Sequence, residues 1–153
     1  MNSEIEGPSR SDLVSIAAAC ACGSVRRAAR AVTQFYDTAL APSGLGIAQA
    51  GLLVAIERRG GLSRTELARS LVMDRTTLAR NLKLLERQGL IETVTGEDRR
   101  TRAVVVTDAG RAALKRAWPY WQEAQSRLVE HMGGGRWDEM RSGLSVLEEL
   151  YQP

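Results

Sequence analysis

Cysteine occurs only at Cys20 and Cys22, and histidine only at His131. That is too few ligands for a zinc cage and too few thiols for a disulfide framework. On one continuous helix, residues two apart point about 200° from each other, so these thiols do not readily pair. No apolar stretch approaches the roughly 18 residues of a membrane span. The opening MNSEIEGPSRSD carries acids and lacks a basic leader and an apolar h-region. It is not a secretory signal, and a cytoplasmic chain with no membrane partner is expected. No internal repeat is visible. Paired carboxylates, a metal cluster, a nucleophile triad and a Gly-rich phosphate loop are also missing. The one enzymatic foothold is a thiol peroxidase at Cys20 or Cys22, without a histidine partner. No cofactor and no metal site are expected.

What is there is a chain of 153 residues, 44% apolar and 25% charged, ordinary values for a globular protein. The net charge of +3 is unevenly distributed. Between Arg58 and Arg102 stand 11 Arg/Lys against 6 Asp/Glu, a local +5; the rest has 10 against 12, or −2. A surplus confined to the middle third fits a nucleic-acid footprint better than an evenly solvated surface.

Residues 1–10 are polar, with Gly7 and Pro8, and read as disordered. Ser11 suits a helix N-cap, and one long alanine-rich helix is expected from there to Leu40, stopped by Pro42 and Gly44. A second helix runs from Ile47 to Arg58 and closes at Gly60–Gly61. Ser63 and Glu66 form the capping box of a two-turn helix. Asp74, or the residue before it, caps the next helix, which ends at Gly89. The β-branched runs IETVT and RAVVVT, joined by GEDRRT, read as a hairpin. Thr107 caps another long helix, which Pro119 is expected to kink. The glycines at 133–135 break it, and Trp137 to Tyr151 form a last amphipathic helix. The fold class is mainly α with a small β-hairpin wing: a lobe over 47–106, and long flanking helices over 11–41 and 107–151.

The stretch DRTTLARNLKLLERQGL, Asp74 to Leu90, carries the functional signal. With Leu78 at zero and 100° per residue, Leu82 and Leu85 fall within about 40° of it. Thr76, Arg80, Lys83 and Arg87 fall opposite, on a face with no acid; Glu86 stands off near 80°. Hydroxyls and cations at a helix N-terminus suit a phosphate-flanked groove. The short helix, a turn at Leu71–Val72–Met73 and this basic helix make a helix-turn-helix. The hairpin tip carries Arg99, Arg100 and Arg102, and a guanidinium on a thin tip can enter a minor groove. Thr76 and Arg80 are expected to read base edges, with Arg75, Thr77 and Asn81 flanking them. Ser63, Arg64, Thr65 and Lys83 are the expected phosphate contacts; Lys83 lies farther along, where steering alone is the alternative.

From Cys22 to about Leu150 the chain resembles the MarR family of winged-helix transcriptional regulators. The likeness is carried by LSRTELARSLVMDRTTLARNLKLLERQGLIE, by Asp98, Arg99 and Arg100 at the wing tip, and by TDAG at Thr107–Gly110. The resemblance implies a homodimer with interlocked terminal helices, two lobes on a pseudo-palindromic operator, and an effector pocket between the dimer helices and the DNA lobe. It places the wing arginine at Arg100, held by Asp98, and the groove-reading positions near Arg75, Thr76, Thr77 and Arg80.

The flanks carry more large apolar groups than a lobe of about 60 residues can cover. Leu13, Ile16, Trp118, Trp121, Leu128, Trp137, Leu144 and Leu147 suit burial against a second copy of the chain. A helical cap on the chain's own lobe is the alternative. Trp118, Tyr120 and Trp121 around Pro119 can line a pocket for a small aromatic or anionic effector, with Arg26, Arg27 or Arg30 as counter-charge; dimer core is the competing role. Cys22 and Tyr36, four helical turns apart, resemble the peroxide-sensing branch of the family. The second tyrosine of that pattern falls at Ile47, and no C-terminal cysteine is present. The expected function is a ligand-responsive repressor of transcription; a redox-sensing regulator using Cys22 and a nonspecific architectural DNA binder are the alternatives.

Overall fold

The structure, a computed structural model, describes residues 7–95 and 102–150. The chain divides into two compact units, Met1–Gln34 and Phe35–Pro153.

In the first unit, α1 (Arg10–Ala19) begins earlier than expected, because Ser9 rather than Ser11 is its cap. Asp12 stands three residues after Ser9, and this spacing closes a capping box. The Asp12 amide donates to Ser9 Oγ at 3.2 Å, and the Ser9 amide donates to the Asp12 carboxylate at 2.9 Å. The single helix expected through Leu40 is broken at Cys20, where ψ is 107°, and α2 (Ala21–Leu40) restarts beyond it. The Gly23 amide donates to Cys20 Sγ at 3.4 Å, so the sulfur takes the capping role in a run of small residues containing a poor helix former. Cys20 and Cys22 therefore do not lie on one continuous helix, and the 200° separation expected for them does not apply. No described residue of this unit is buried; Leu13, Val14 and Ile16 are 53%, 65% and 56% exposed.

In the second unit, Tyr36 and Leu40 at the end of α2 enter the core, and a 3-10 turn at Ala41–Ser43 leads to α3 (Ile47–Arg59). Then come α4 (Arg64–Ser70), α5 (Arg75–Arg87), β1 (Ile91–Thr95), β2 (Arg102–Val106), α6 (Asp108–Met132) and α7 (Gly134–Glu148). Leucine builds the centre: Leu40, Leu53, Leu67, Leu78, Leu82 and Leu85 are fully buried together with Val104. Ala113, Ala117 and Ala124 bring α6 close against this cluster. Pro119 is accommodated inside a helix assigned without interruption over 25 residues. Gly133, with φ +82°, separates α6 from α7, which starts three residues ahead of the expected Trp137.

The hairpin pairs antiparallel from Ile91 opposite Val106 to Thr95 opposite Arg102. A further edge was not expected: Ser63 bridges Ala103, and the Val104 amide donates to the Leu62 carbonyl at 3.1 Å. The wing is thereby sewn to the residues that start α4.

Two glycines are demanded by geometry. Gly89, with φ +68°, ends α5 in a Schellman motif: its amide donates to Glu86 O, and that of Leu90 to Leu85 O, each at 3.0 Å. Gly110 of the TDAG stretch sits where a Cβ would collide with the Leu90 carbonyl and the Val106 side chain. Just before it, Thr107 caps α6 by accepting from the Gly110 amide, and its hydroxyl donates to the Gly89 carbonyl at 2.7 Å. One motif thus docks α6 onto the end of the helix-turn-helix.

Candidate nucleic-acid interface

Ser63 caps α4: it accepts from the Glu66 amide while Glu66 accepts from the Ser63 amide and hydroxyl. Those two donors, the hydroxyl first, hold the Glu66 carboxyl below its ordinary value. The turn to α5 closes with Met73 N–H to Ala68 O at 3.0 Å and Val72 N–H to Arg69 O at 3.3 Å. Val72 lies at φ +52°, the left-handed position that glycine usually fills, and is 43% exposed. Asp74, not Met73, caps α5, accepting from the Thr77 amide at 2.8 Å. The Thr77 hydroxyl and amide lower the Asp74 carboxyl from its ordinary 3.8.

On α5 the acid-free face stands in the open. Thr76, Arg80, Lys83 and Arg87 are exposed, as is Arg75. Leu78, Leu82 and Leu85 face the core. Two flanking positions are differently occupied. Thr77 is half-buried and committed to Asp74, and Asn81 is half-buried in the crevice where α5 meets Ala48, Gln49 and Leu52 of α3. The orphan N–H groups expected at the start of α5 are partly used by Asp74. Gln49 Nε2 donates to Gln88 Oε1 at 3.0 Å, tying α3 to the end of α5.

Of the phosphate candidates, Thr65 and Lys83 are exposed, whereas the Ser63 hydroxyl is engaged by Glu66. Arg64 makes an ion pair with Glu86 at 3.0 Å, and Glu86 also accepts from the Thr93 hydroxyl at 2.9 Å. Sequence reasoning missed this role of Glu86; its offset near 80° from the leucine stripe was the one available signal. Arg64, Thr65, Arg75, Leu78, Ala79 and Leu82 line a hollow of about 220 Å³ between α4 and α5. Of the wing residues, Arg102 is exposed at the start of β2, while Asp98, Arg99 and Arg100 lie outside the described residues.

The flank candidates separate into two groups. Trp121 and Leu128 are half-buried and pack on this chain's own core, and Trp137 is half-buried. Leu144 and Leu147 are exposed, and Trp118, 55% exposed, stacks on Trp121 with ring centroids 5.2 Å apart. Tyr36 is buried and donates to Gln125 Oε1 at 2.6 Å; burial pushes its hydroxyl above the ordinary value of 10.0. It is occupied as a core residue. Arg30 and Cys22 are exposed. Among the described residues no cluster of three His, Cys, Asp or Glu could hold a metal, and no single helix is long and apolar enough to cross a membrane.

A short helix, a turn, a second helix with an open cationic face and a following hairpin define a winged helix-turn-helix protein. The family model described as MarR family matches residues 43–101. The M. tuberculosis transcriptional regulator MosR, in its complex with DNA, is 38% identical, with 85% of this chain and 94% of that one covered and a TM-score of 0.76. The chain belongs to the MarR family. The transcriptional repressor CouR bound to a 23-mer DNA duplex is 27% identical over 93% of this chain and 99% of that one, with a TM-score of 0.75. CouR bound to p-coumaroyl-CoA is 26% identical over 89% and 96%, with a TM-score of 0.76. No curated protein matches the chain.

Proposed function

We propose that this chain is a cytoplasmic, sequence-specific regulator of transcription that binds double-stranded DNA as a homodimer on a pseudo-palindrome and acts as a ligand-responsive repressor rather than an enzyme. The observation that carries the reading is the open face of α5, where Thr76, Arg80, Lys83 and Arg87 stand exposed with no acid among them. Arg80 suits the O6/N7 edge of guanine, and Thr76 a neighbouring base. Arg75 flanks them, while Thr65 and Lys83 suit phosphate. The wing cations Arg99, Arg100 and Arg102 suit the minor groove. The exposed Leu13, Ile16, Leu144 and Leu147 suit burial against a second copy, which would hold two α5 helices about 34 Å apart, one turn of duplex. The regulators MosR and CouR, each in complex with DNA, support duplex binding, and CouR with p-coumaroyl-CoA supports a small-molecule effector. Within the second unit, exposed Trp118, stacked on Trp121, is the candidate effector contact.

The test is selection of bound duplexes from a random pool, with and without aromatic acids and peroxides. A pseudo-palindrome should emerge, and Arg80→Ala should relax one base pair per half-site at a cost of about 1–3 kcal/mol. Equal weakening on every sequence would reduce Arg80 to a phosphate contact, and failure to enrich any sequence would favour an architectural binder.

A redox-sensing variant of this reading is favoured by one observation. Cys20 and Cys22 are both exposed at the break between α1 and α2, and the Cys20 sulfur accepts a backbone N–H. Loss of DNA binding on peroxide treatment, abolished by Cys22→Ser, supports it; binding indifferent to peroxide removes it.

A further inference from the structure

The acid that α5 carries sits at a junction. A single oxygen, Glu86 Oε1, accepts from Arg64 Nη2 at 3.0 Å and from Thr93 Oγ1 at 2.9 Å. It therefore joins α5 to the first residue of α4 and to the middle of β1. The backbone closes the same ring: Thr93 pairs with Val104, Val104 donates to Leu62, and Ser63 bridges Ala103 immediately ahead of Arg64. The Arg64 side chain is 51% exposed and that of Glu86 31%, so the pair is open to solvent on the arginine side. Arg64 also rims the hollow between α4 and α5, together with Arg75.

We infer that Glu86 is a positioning residue of the nucleic-acid interface. It holds the Arg64 guanidinium toward a backbone phosphate and couples that aim to the wing through Thr93. This inference rests on the DNA-binding reading above. The first helix of a helix-turn-helix crosses the sugar–phosphate backbone, and Arg64 opens that helix. Guanidinium is a planar fork with five donors, so one nitrogen on Glu86 leaves others for phosphate oxygens, in an orientation fixed in advance. Simple charge repulsion makes the opposite forecast: a carboxylate near DNA weakens binding, and its removal strengthens it. The sign of the effect separates the two.

The experiment measures affinity of the full chain for its selected duplex across a salt series, for wild type, Glu86→Gln, Arg64→Ala and the double variant. Glutamine keeps an acceptor for Thr93 and loses the charge that holds Arg64. Glu86→Gln is expected to weaken binding about 3–10-fold with the salt slope unchanged. Arg64→Ala should weaken binding and lower the slope by about one, and the double variant should bind no more weakly than Arg64→Ala alone. If Glu86→Gln melts below the assay temperature, Arg64→Lys replaces it: the charge remains, the fork is lost, and an equal weakening at constant slope is expected. Unchanged or tighter binding by Glu86→Gln, or by Arg64→Lys in its place, overturns the inference, as does independent weakening in the double variant. A wild-type chain that binds no duplex defeats the DNA-binding reading itself, a different result from a wild type that binds well and a Glu86 variant that binds better.

Discussion

The winged lobe and the terminal helices α1 and α7 use apolar residues in opposite ways. In the lobe they turn inward: Leu53, Leu67, Leu78, Leu82 and Leu85 are 0–1% exposed. No aromatic ring is available between Asp37 and Ala117, so branched aliphatic side chains dominate this centre, with Tyr36 and Trp121 reaching it from α2 and α6. In α1 and α7 no residue is buried, and Leu144, Val146 and Leu147 are 38%, 60% and 43% exposed. Both regions are helical and both have good caps or glycine stops. The difference teaches that helix formation and core formation are separate demands: the lobe satisfies both within one chain, while the flanks leave an apolar surface that water penalises at roughly 25 cal/mol per Å².

Four measurements break or sharpen this contrast. The largest effect should come from Leu82→Ala. It empties a site that is 1% exposed and should cost about 2–5 kcal/mol in urea unfolding, at any protein concentration. A cost under about 1 kcal/mol would mean that the lobe core is looser than its burial indicates. Gly110→Ala comes next. The added methyl meets the Leu90 carbonyl and Val106, and α6 must shift at a cost of about 1–3 kcal/mol, read as a lowered melting temperature. Leu147→Ser, in the flank, should change unfolding of the dilute chain by no more than about 0.5 kcal/mol, yet weaken self-association in sedimentation. An equal loss of stability at all concentrations would show that α7 serves its own chain. The smallest effect is confined to acid. Asp74 has its folded pKa below the unfolded value, so its contribution is complete above 3.8 and disappears as pH falls through the lower, folded value. Melting temperature should decline there, and Asp74→Asn, which still caps, should flatten the decline. An unchanged acid limb in that variant would assign the loss to other carboxylates.

The same contrast governs what could be read in advance. The lobe was legible because its signals are local: Ser63 and Glu66 in a capping box, Asp74 at a cap, Gly89 at a C-terminus, and β-branched runs around a turn. The leucine stripe and the open cationic face of α5 follow from 100° per residue. The flank boundaries were less legible, because alanine-rich sequence is helical almost anywhere and the competition among caps decides where it stops. Ser9 prevailed over Ser11 through Asp12, and the Cys20 sulfur with Gly23 divided what read as one helix. Val72 in a left-handed turn was invisible too, since nothing about valine advertises that conformation.

The interface divides along the same line. Exposure of Thr76, Arg80, Lys83 and Arg87 is a property of one helix, and the sequence determined it alone, because helical geometry fixes each residue's direction from its neighbours. Local caps occupied two of the surrounding side chains, Thr77 at Asp74 and Ser63 at Glu66. The rest was decided only by tertiary structure: Asn81 went to the crevice beside α3, and Arg64 to Glu86, 22 residues away. Tyr36 found Gln125 across 89 residues. Pairings of that kind depend on how whole elements dock, and docking sums the packing of many buried groups that no short stretch of sequence encodes.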